Sequence, residues 1–247
     1  MKTSRLSQVY ASILINAVYQ MKNYPITLAS NVIAPFSVLI LILLVSHGQL
    51  LSISIEGALI TSMISGGVNL QIDLSHMKND FRLQDMLVSS PTNAFTYMLG
   101  MATSALINAL PALTTLAILA FLFVHATPIG ALTIIAVFSL VFAFSVALGF
   151  MLSTFSTDIQ QNRAFVSILT VILATIAPIY YPITYIPLPI RYLAYLSPAT
   201  YAAEIAQNAI GVLPLSASNL AVNWVVLIVV SSALFVIAMK KSHWRAP

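Results

Sequence analysis

Six apolar runs, each long enough to cross a bilayer as a helix, constrain this 247-residue sequence more than any other feature. A transmembrane helix needs about 20 residues. The runs lie near residues 26–46, 53–74, 95–124, 129–155, 164–181 and 220–239. Hydrophobic residues form 60% of the chain and charged residues 6%, which is more apolar surface than a soluble domain of this length can enclose. The sequence therefore predicts an all-α membrane protein with one transmembrane domain of six spans.

Residues 1–25 have the pattern of an amphipathic helix. Apolar residues recur at helical spacing, and Ser12, Asn16 and Gln20 fall between them. We expect this segment to lie in the membrane interface. A fragment of a first span is the weaker alternative, because one side of the helix is polar and the segment is closed by Tyr24 and Pro25.

The stretch 76–91, HMKNDFRLQDMLVSSP, is a charged island between the second and third spans. Phe81, Leu83, Met86 and Leu87 fall close to the spacing that gathers side chains on one helical face. Pro91 stops a helix begun upstream, because the residue before a proline is pushed out of the α region. The pattern predicts a short amphipathic helix that fits a groove on a partner protein. The alternative is a solvated helical loop.

The basic residues predict the orientation of the chain. If the amino terminus is cytosolic, Arg191 alone lies outside. The cytosolic side then holds Lys2, Arg5, Lys22, Lys78, Arg82, Arg163, Lys240, Lys241 and Arg245. This asymmetry is typical of the positive-inside rule, and it predicts that both termini are cytosolic.

Amide side chains mark the interior of several spans. Asn69 and Gln71 lie in the second span, which is rich in small and polar residues and which we therefore expect inside the bundle. Asn31 and Asn108 lie in the first and third spans. Each of the four is a candidate for the translocation path or for packing between helices.

Residues 178–218 are too apolar for an ordinary loop, but their prolines exclude one continuous span. Two short helices at 188–196 and 199–210, folded back into the outer leaflet, fit this composition better. Non-helical backbone at that depth survives where protein or a wet cavity covers it.

With these pieces in place, the chain resembles the permease subunits of ABC exporters of the type-2 class over essentially its whole length. Three stretches carry the resemblance: DFRLQDMLVSSP followed by TYMLG, then ALGFMLSTFSTDIQQNRA, and then YYPITYIPLPIRYLAYLSPATYAAEIAQNAIG. The first is similar to the ATPase-coupling helix, with candidate residues Asp80, Phe81, Leu83, Gln84, Met86 and Leu87. The third is similar to the outer re-entrant motif, with candidate residues Pro182, Pro187, Pro198, Tyr201 and Glu204.

The sequence departs from the family pattern in two places. Tyr180 and Tyr181 stand where a glycine often precedes the first outer proline, and Gln207 stands where a basic residue is frequent. The second departure leaves Glu204 without the expected ionic partner. A helix terminus or a wet vestibule could take that place.

The resemblance implies one half of a homodimeric or heterodimeric membrane domain in the plasma membrane, driven by two ABC ATPase subunits. The cargo would be apolar or amphipathic: drug-like, lipid or lipid-linked. No G-x-x-x-x-G-K-[ST] run occurs in this sequence, so ATP and Mg²⁺ are expected on the partner ATPase and no cofactor or metal on this chain. Nucleic acid is not an expected partner.

Three other functions compete with export. An intramembrane enzyme is disfavoured because the histidines, at 47, 76, 125 and 243, have no metal-ligand spacing. A secondary transporter needs ionisable residues near the middle of its spans, and the middle of every span lacks charge. A non-transporting membrane assembly subunit stays open.

Overall fold

The computed structural model describes residues 5–79, 94–153 and 159–241, and within these ranges the regular structure is helical throughout. The chain begins with α1 (Arg5–Ile13), a π-helical turn (Leu14–Val18) and α2 (Tyr19–Asn23). The long helices are α3 (Pro25–Val45), α4 (Leu51–Asn79), α5 (Ala94–Phe123), α6 (Pro128–Ser153) and α7 (Ile159–Ile176). A 3₁₀ turn (Ile183–Tyr185), α8 (Leu188–Ala194), α9 (Pro198–Ala209) and α10 (Ala217–Lys241) follow.

Four of these helices are long and apolar enough to cross a membrane: Leu51–Ser75, Phe95–Phe123, Pro128–Ser153 and Ala217–Lys240. Two further apolar stretches, Ala29–Val45 and Arg163–Leu173, are shorter. The protein is therefore a multi-pass membrane protein. The predicted layout of six spans stays a prediction.

Helix α4 forms the centre of the bundle, where it packs against α3, α5, α6, α7 and α9. In its most apolar stretch 67% of the residues are buried, against 17% in α10. The expectation that the second apolar run lies inside the bundle is confirmed. Its small and polar residues suit this position, because they let neighbouring backbones approach closely.

Two glycines lie where α4 crosses α6. A methyl group added at Gly149 would lie 2.6 Å from the carbonyl oxygen of Gly67. One added at Gly67 would lie 2.7 Å from the backbone nitrogen of Val146. Real side chains do not occupy such distances, so the crossing requires glycine on both helices.

Proline geometry explains where helices continue and end. Pro35 and Pro111 lie inside α3 and α5, and both helices continue through them. Helix α7 ends at Ile176, five residues before the predicted end of the fifth apolar run, because Pro178 forces the preceding residue out of the α region.

The bundle has two distinct ends. The start of α4 lies against Ile179 and Tyr180, and the start of α6 lies against the end of α9, where Gly130 meets Ala209. We refer to this as the α8–α9 end. Because α4 extends about 43 Å at 1.5 Å per residue, Asn79 lies at the opposite end of the bundle.

Candidate functional site

Prolines initiate each short element of the α8–α9 end. Pro182 and Pro187 are in extended conformation immediately before the 3₁₀ turn and α8, and Pro198 is the first residue of α9. Proline is well suited to these positions, because the first residues of a helix have no amide partner to lose. The two short helices therefore occur close to their predicted positions.

Glu204 is buried on α9 and both of its carboxylate oxygens are bound. The Tyr195 hydroxyl donates to Oε1 at 3.0 Å, and the Asn223 amide of α10 donates to Oε2 at 2.7 Å. The carboxylate thus ties α9 to the turn after α8 and to the last long helix. Its partners are neutral donors, in place of the basic residue that the family resemblance implies.

Two tyrosines support this carboxylate. Tyr201 donates its hydroxyl hydrogen bond to the Tyr195 carbonyl at 3.0 Å, and the two rings are 5.7 Å apart. Burial, followed by the charge of Glu204 and the hydrogen bond to it, raises the pKa of Tyr195 to about 12. The Tyr195 hydroxyl therefore stays protonated, and able to donate to Glu204, throughout the physiological pH range.

Gln207 has a separate structural role one turn further along α9. Its amide donates to the carbonyls of Pro178 at 3.1 Å and Tyr181 at 3.3 Å. These carbonyls belong to the non-helical segment after α7, where no helical donor is available. An amide at this position supplies the donor that the backbone lacks.

A polar seam joins the amino-terminal helix to α5. Ser12, Asn16 and Gln20 lie along one side of the amino-terminal segment, and Gly100, Ser104 and Asn108 lie along the facing side of α5. Asn108 donates to the Asn16 carbonyl and to Gln20 Oε1, both at 3.0 Å. Ser104 donates to the Ser12 carbonyl at 3.2 Å.

The seam identifies which side of the amphipathic amino-terminal segment contacts the rest of the protein. The polar side of the segment contacts α5 over about two turns, whereas Leu6 is 81% and Tyr10 62% exposed. Asn108 therefore packs between helices, one of the two roles predicted for it. The depth of this segment in the membrane stays a prediction.

A disulfide test can check the seam, because the chain contains no cysteine. The double variant Ser12→Cys/Ser104→Cys is expected to cross-link under mild oxidation, since Ser104 Oγ lies 3.2 Å from the Ser12 carbonyl oxygen. Ser12→Cys/Thr103→Cys is the matched control, because Thr103 bonds to Leu99 of its own helix. Gel mobility reads out both pairs, and equal cross-linking of the control would contradict the seam.

The other predicted path residues lie on α3 and α4. Gln71 is buried on α4 beside the α6 crossing, Asn69 is half-buried on the same helix, and Asn31 is half-buried on α3. Their role in a path stays a prediction. The coupling-helix candidates Asp80, Phe81, Leu83, Gln84, Met86 and Leu87 lie outside the described residues.

An apolar groove of about 250 Å³ opens between α5, α6 and α10. Phe95, Leu99, Phe142 and Phe235 line it, and among the described residues of the lining Thr103 is the one with a hydroxyl group. The groove lies towards the end of the bundle opposite α8–α9, since Phe95 starts α5 and Phe235 is near the end of α10. Its lining can hold a hydrocarbon chain or an aromatic ring.

Glu56 is a buried carboxyl that the sequence reasoning missed. It lies on α4 at 2% exposure, and neither carboxylate oxygen has a hydrogen-bond partner among the described residues. The available signal was a lone acidic residue inside an apolar run, which by itself marks a candidate functional group. Metal binding is not indicated there, because no group of three His, Cys, Asp or Glu side chains occurs in the described part of the chain.

Comparison with known families agrees with this architecture. The family model for ABC-2 type transporters matches residues 8–210. A search of curated proteins finds no match. The matched region extends from the amino-terminal segment through α9, and so includes both the seam and the Glu204 cluster. The chain belongs to the ABC-2 type transporter family and is a permease subunit of that class.

Proposed function

We propose that this chain is the membrane-spanning permease of an ATP-driven exporter that moves an apolar or amphipathic cargo, drug-like, lipid or lipid-linked. The family match over residues 8–210 carries the proposal. The apolar groove between α5, α6 and α10 supports the cargo class, because it offers hydrocarbon contact and a single hydroxyl. A second permease subunit, identical or different, would complete the path.

The power source is a pair of ABC ATPase subunits that bind ATP and Mg²⁺. Family membership implies association with such an ATPase and with the bilayer. Residues 79–88 would enter a cleft on the ATPase, so that its closure moves α4 and α5. The position of Asn79 at the end opposite α8–α9 supports this, because docking on one side could then open the path on the other.

The protein would lie in the plasma membrane with both termini in the cytosol. The distribution of Lys and Arg supports this orientation, with Arg191 on the outer side. In that orientation α8 and α9 fold back into the outer leaflet. In intact cells, a membrane-impermeant reagent is expected to label a tag at residue 212 and to leave a tag at residue 79 unlabelled.

Reconstitution tests the function directly. The chain is co-purified with its ABC ATPase and placed in vesicles. These vesicles are expected to accumulate a fluorescent amphiphile only when ATP is supplied. A variant ATPase lacking the phosphate-binding lysine is the control. Transport without the ATPase would contradict the proposal. A stable complex that transports no amphiphile, and whose ATP hydrolysis no amphiphile changes, would also contradict it.

Disruption of the coupling helix gives a sharper prediction. Phe81→Asp is expected to abolish ATP-dependent transport while the permease still inserts, because a charge on the apolar face cannot enter a hydrophobic cleft. Ser89→Asp is the matched control in the same loop. Transport and ATP hydrolysis measured together check the prediction, and normal transport by Phe81→Asp would contradict docking through this face.

Secondary transport is a second candidate because of Glu56. Its buried carboxyl has no hydrogen-bond partner in the described part of the chain, and buried carboxyls of this kind carry protons in such transporters. Cargo movement driven by an imposed pH gradient, without ATP or ATPase, would favour this function.

A further inference from the structure

Two glutamates are buried to the same degree near the α8–α9 end, but their surroundings differ. Glu204 is 4% exposed and accepts hydrogen bonds at both oxygens. Glu56 is 2% exposed and accepts none from the described residues. A buried polar group without a partner costs free energy, so natural proteins keep few of them without a function.

The position of Glu56 on α4 is informative. Glu56 and Gly67 are roughly three turns apart and fall on nearly the same side of the helix. Gly67 contacts α6, so the carboxyl of Glu56 lies on the side of α4 that is directed towards α6. Helix α9 also packs against both α4 and α6 at this end. The carboxyl is therefore enclosed between helices and is not directed to lipid.

The cover over this part of α4 is irregular. Gly57, next to Glu56, lies against the backbone of Ile179, where an added methyl group would be 2.7 Å from the carbonyl oxygen. Residues 177–187 contain only a single 3₁₀ turn. The amide of Gln207 holds this segment through the carbonyls of Pro178 and Tyr181, and no spanning helix would have to unfold for the segment to move.

Charge decides which ligand suits the site. The four candidate spans hold three charged side chains: Lys240 at the last position of its span, Asp73 two residues before the end of its span, and Glu56. Arg191 is bound to the carbonyls of Thr184 and Ile186. Glu204 is the other buried carboxyl at this end, and two neutral donors already bind it. The carboxyl with unused acceptors among the described residues is therefore Glu56, and such a group attracts a cationic hydrogen-bond donor.

We propose that Glu56 binds the basic amine of an amphipathic cargo when the 177–187 segment moves away from α4. This deepens the proposed function, on which it rests, by naming the polar group of the cargo. The apolar part of the molecule would extend along the bundle, and the amine would occupy the free acceptors of Glu56. Neutral cargo would lack this contact.

Binding to the full chain in phosphatidylcholine nanodiscs tests the proposal with a matched pair of ligands. Dodecylamine is expected to bind wild type and to bind Glu56→Leu at least about tenfold more weakly, as for the loss of one charge-assisted hydrogen bond. Dodecanol is expected to bind both proteins equally. Glu56→Gln keeps a hydrogen-bond acceptor but no charge. Its affinity for dodecylamine is expected to lie between those of wild type and Glu56→Leu.

A stability measurement separates recognition from structure. Glu56→Leu is expected to leave the unfolding temperature unchanged or raised, since no bond is lost, whereas Glu204→Leu lowers it. Equal dodecylamine affinity in wild type and Glu56→Leu would overturn the proposal, as would a fall in unfolding temperature matching that of Glu204→Leu. If dodecylamine binding depends on Glu56 but the chain associates with no ATPase, the exporter function alone is refuted.

Discussion

Gly67→Ala is expected to prevent the bundle from assembling, whereas Gly66→Ala is expected to be tolerated. The methyl group at Gly67 would lie 2.7 Å from the backbone nitrogen of Val146, and a backbone atom on a packed helix cannot move aside. Overpacking typically costs about 1 to 3 kcal/mol, and more where the backbone itself must shift. We therefore expect loss of monodisperse protein in detergent, measured by size-exclusion chromatography and thermal unfolding.

The neighbouring glycine provides the control. A methyl group at Gly66 would lie 3.4 Å from Ala109 Cβ, close to ordinary contact. Alanine is also favoured over glycine inside a helix by about 1 kcal/mol, so this variant should fold as well as wild type. Gly149→Ala should reproduce the defect from the α6 side. Equal damage from Gly66→Ala would show that the crossing is not the cause.

Glu204→Leu is expected to produce the second large loss of stability. The substitution leaves the Asn223 amide and the Tyr195 hydroxyl without their acceptor. The Asn223 amide is buried, and a buried donor left unsatisfied costs roughly 1 to 3 kcal/mol, a large part of the total stability of a typical protein. We expect a lower unfolding temperature, with the α8–α9 end becoming the first region to exchange its amide hydrogens.

The double variant Glu204→Gln/Asn223→Asp tests the cause of that loss. It exchanges the carboxylate and the amide, so that a donor and an acceptor still face each other between α9 and α10. Recovery of most of the unfolding temperature is expected. A double variant no better than Glu204→Leu would show that the shape of the Glu204 side chain, and not its hydrogen bonds, stabilises this end.

Much of the fold was predictable from local chemistry. Each apolar run corresponds to a long helix, because a backbone in lipid must satisfy its own hydrogen bonds. The prolines at 187 and 198 precede or begin the short helices, because proline has a fixed φ and no amide hydrogen. These rules act between close neighbours in the chain, so a single sequence is sufficient to apply them.

Side-chain partners were less predictable, because they join distant parts of the chain. Gln207 leaves Glu204 without the basic partner of the family pattern, and the sequence offered a helix terminus or a wet vestibule in its place. The structure instead gives this carboxylate two side-chain donors, Tyr195 and, on another helix, Asn223. The seam could have been suspected from spacing. Ser12, Asn16 and Gln20 repeat every fourth residue, as do Gly100, Ser104 and Asn108 on α5.

The sequence by itself determined that this is a multi-pass helical protein, since hydropathy and proline position act locally, and the match of residues 8–210 to the ABC-2 family model established its family. Tertiary structure decided which polar groups meet: the polar side of the amino-terminal segment contacts α5, Glu204 is satisfied, and Glu56 is enclosed without a partner among the described residues. The reason is physical. A side chain's polarity is encoded at one position, but its partner depends on how separate helices pack.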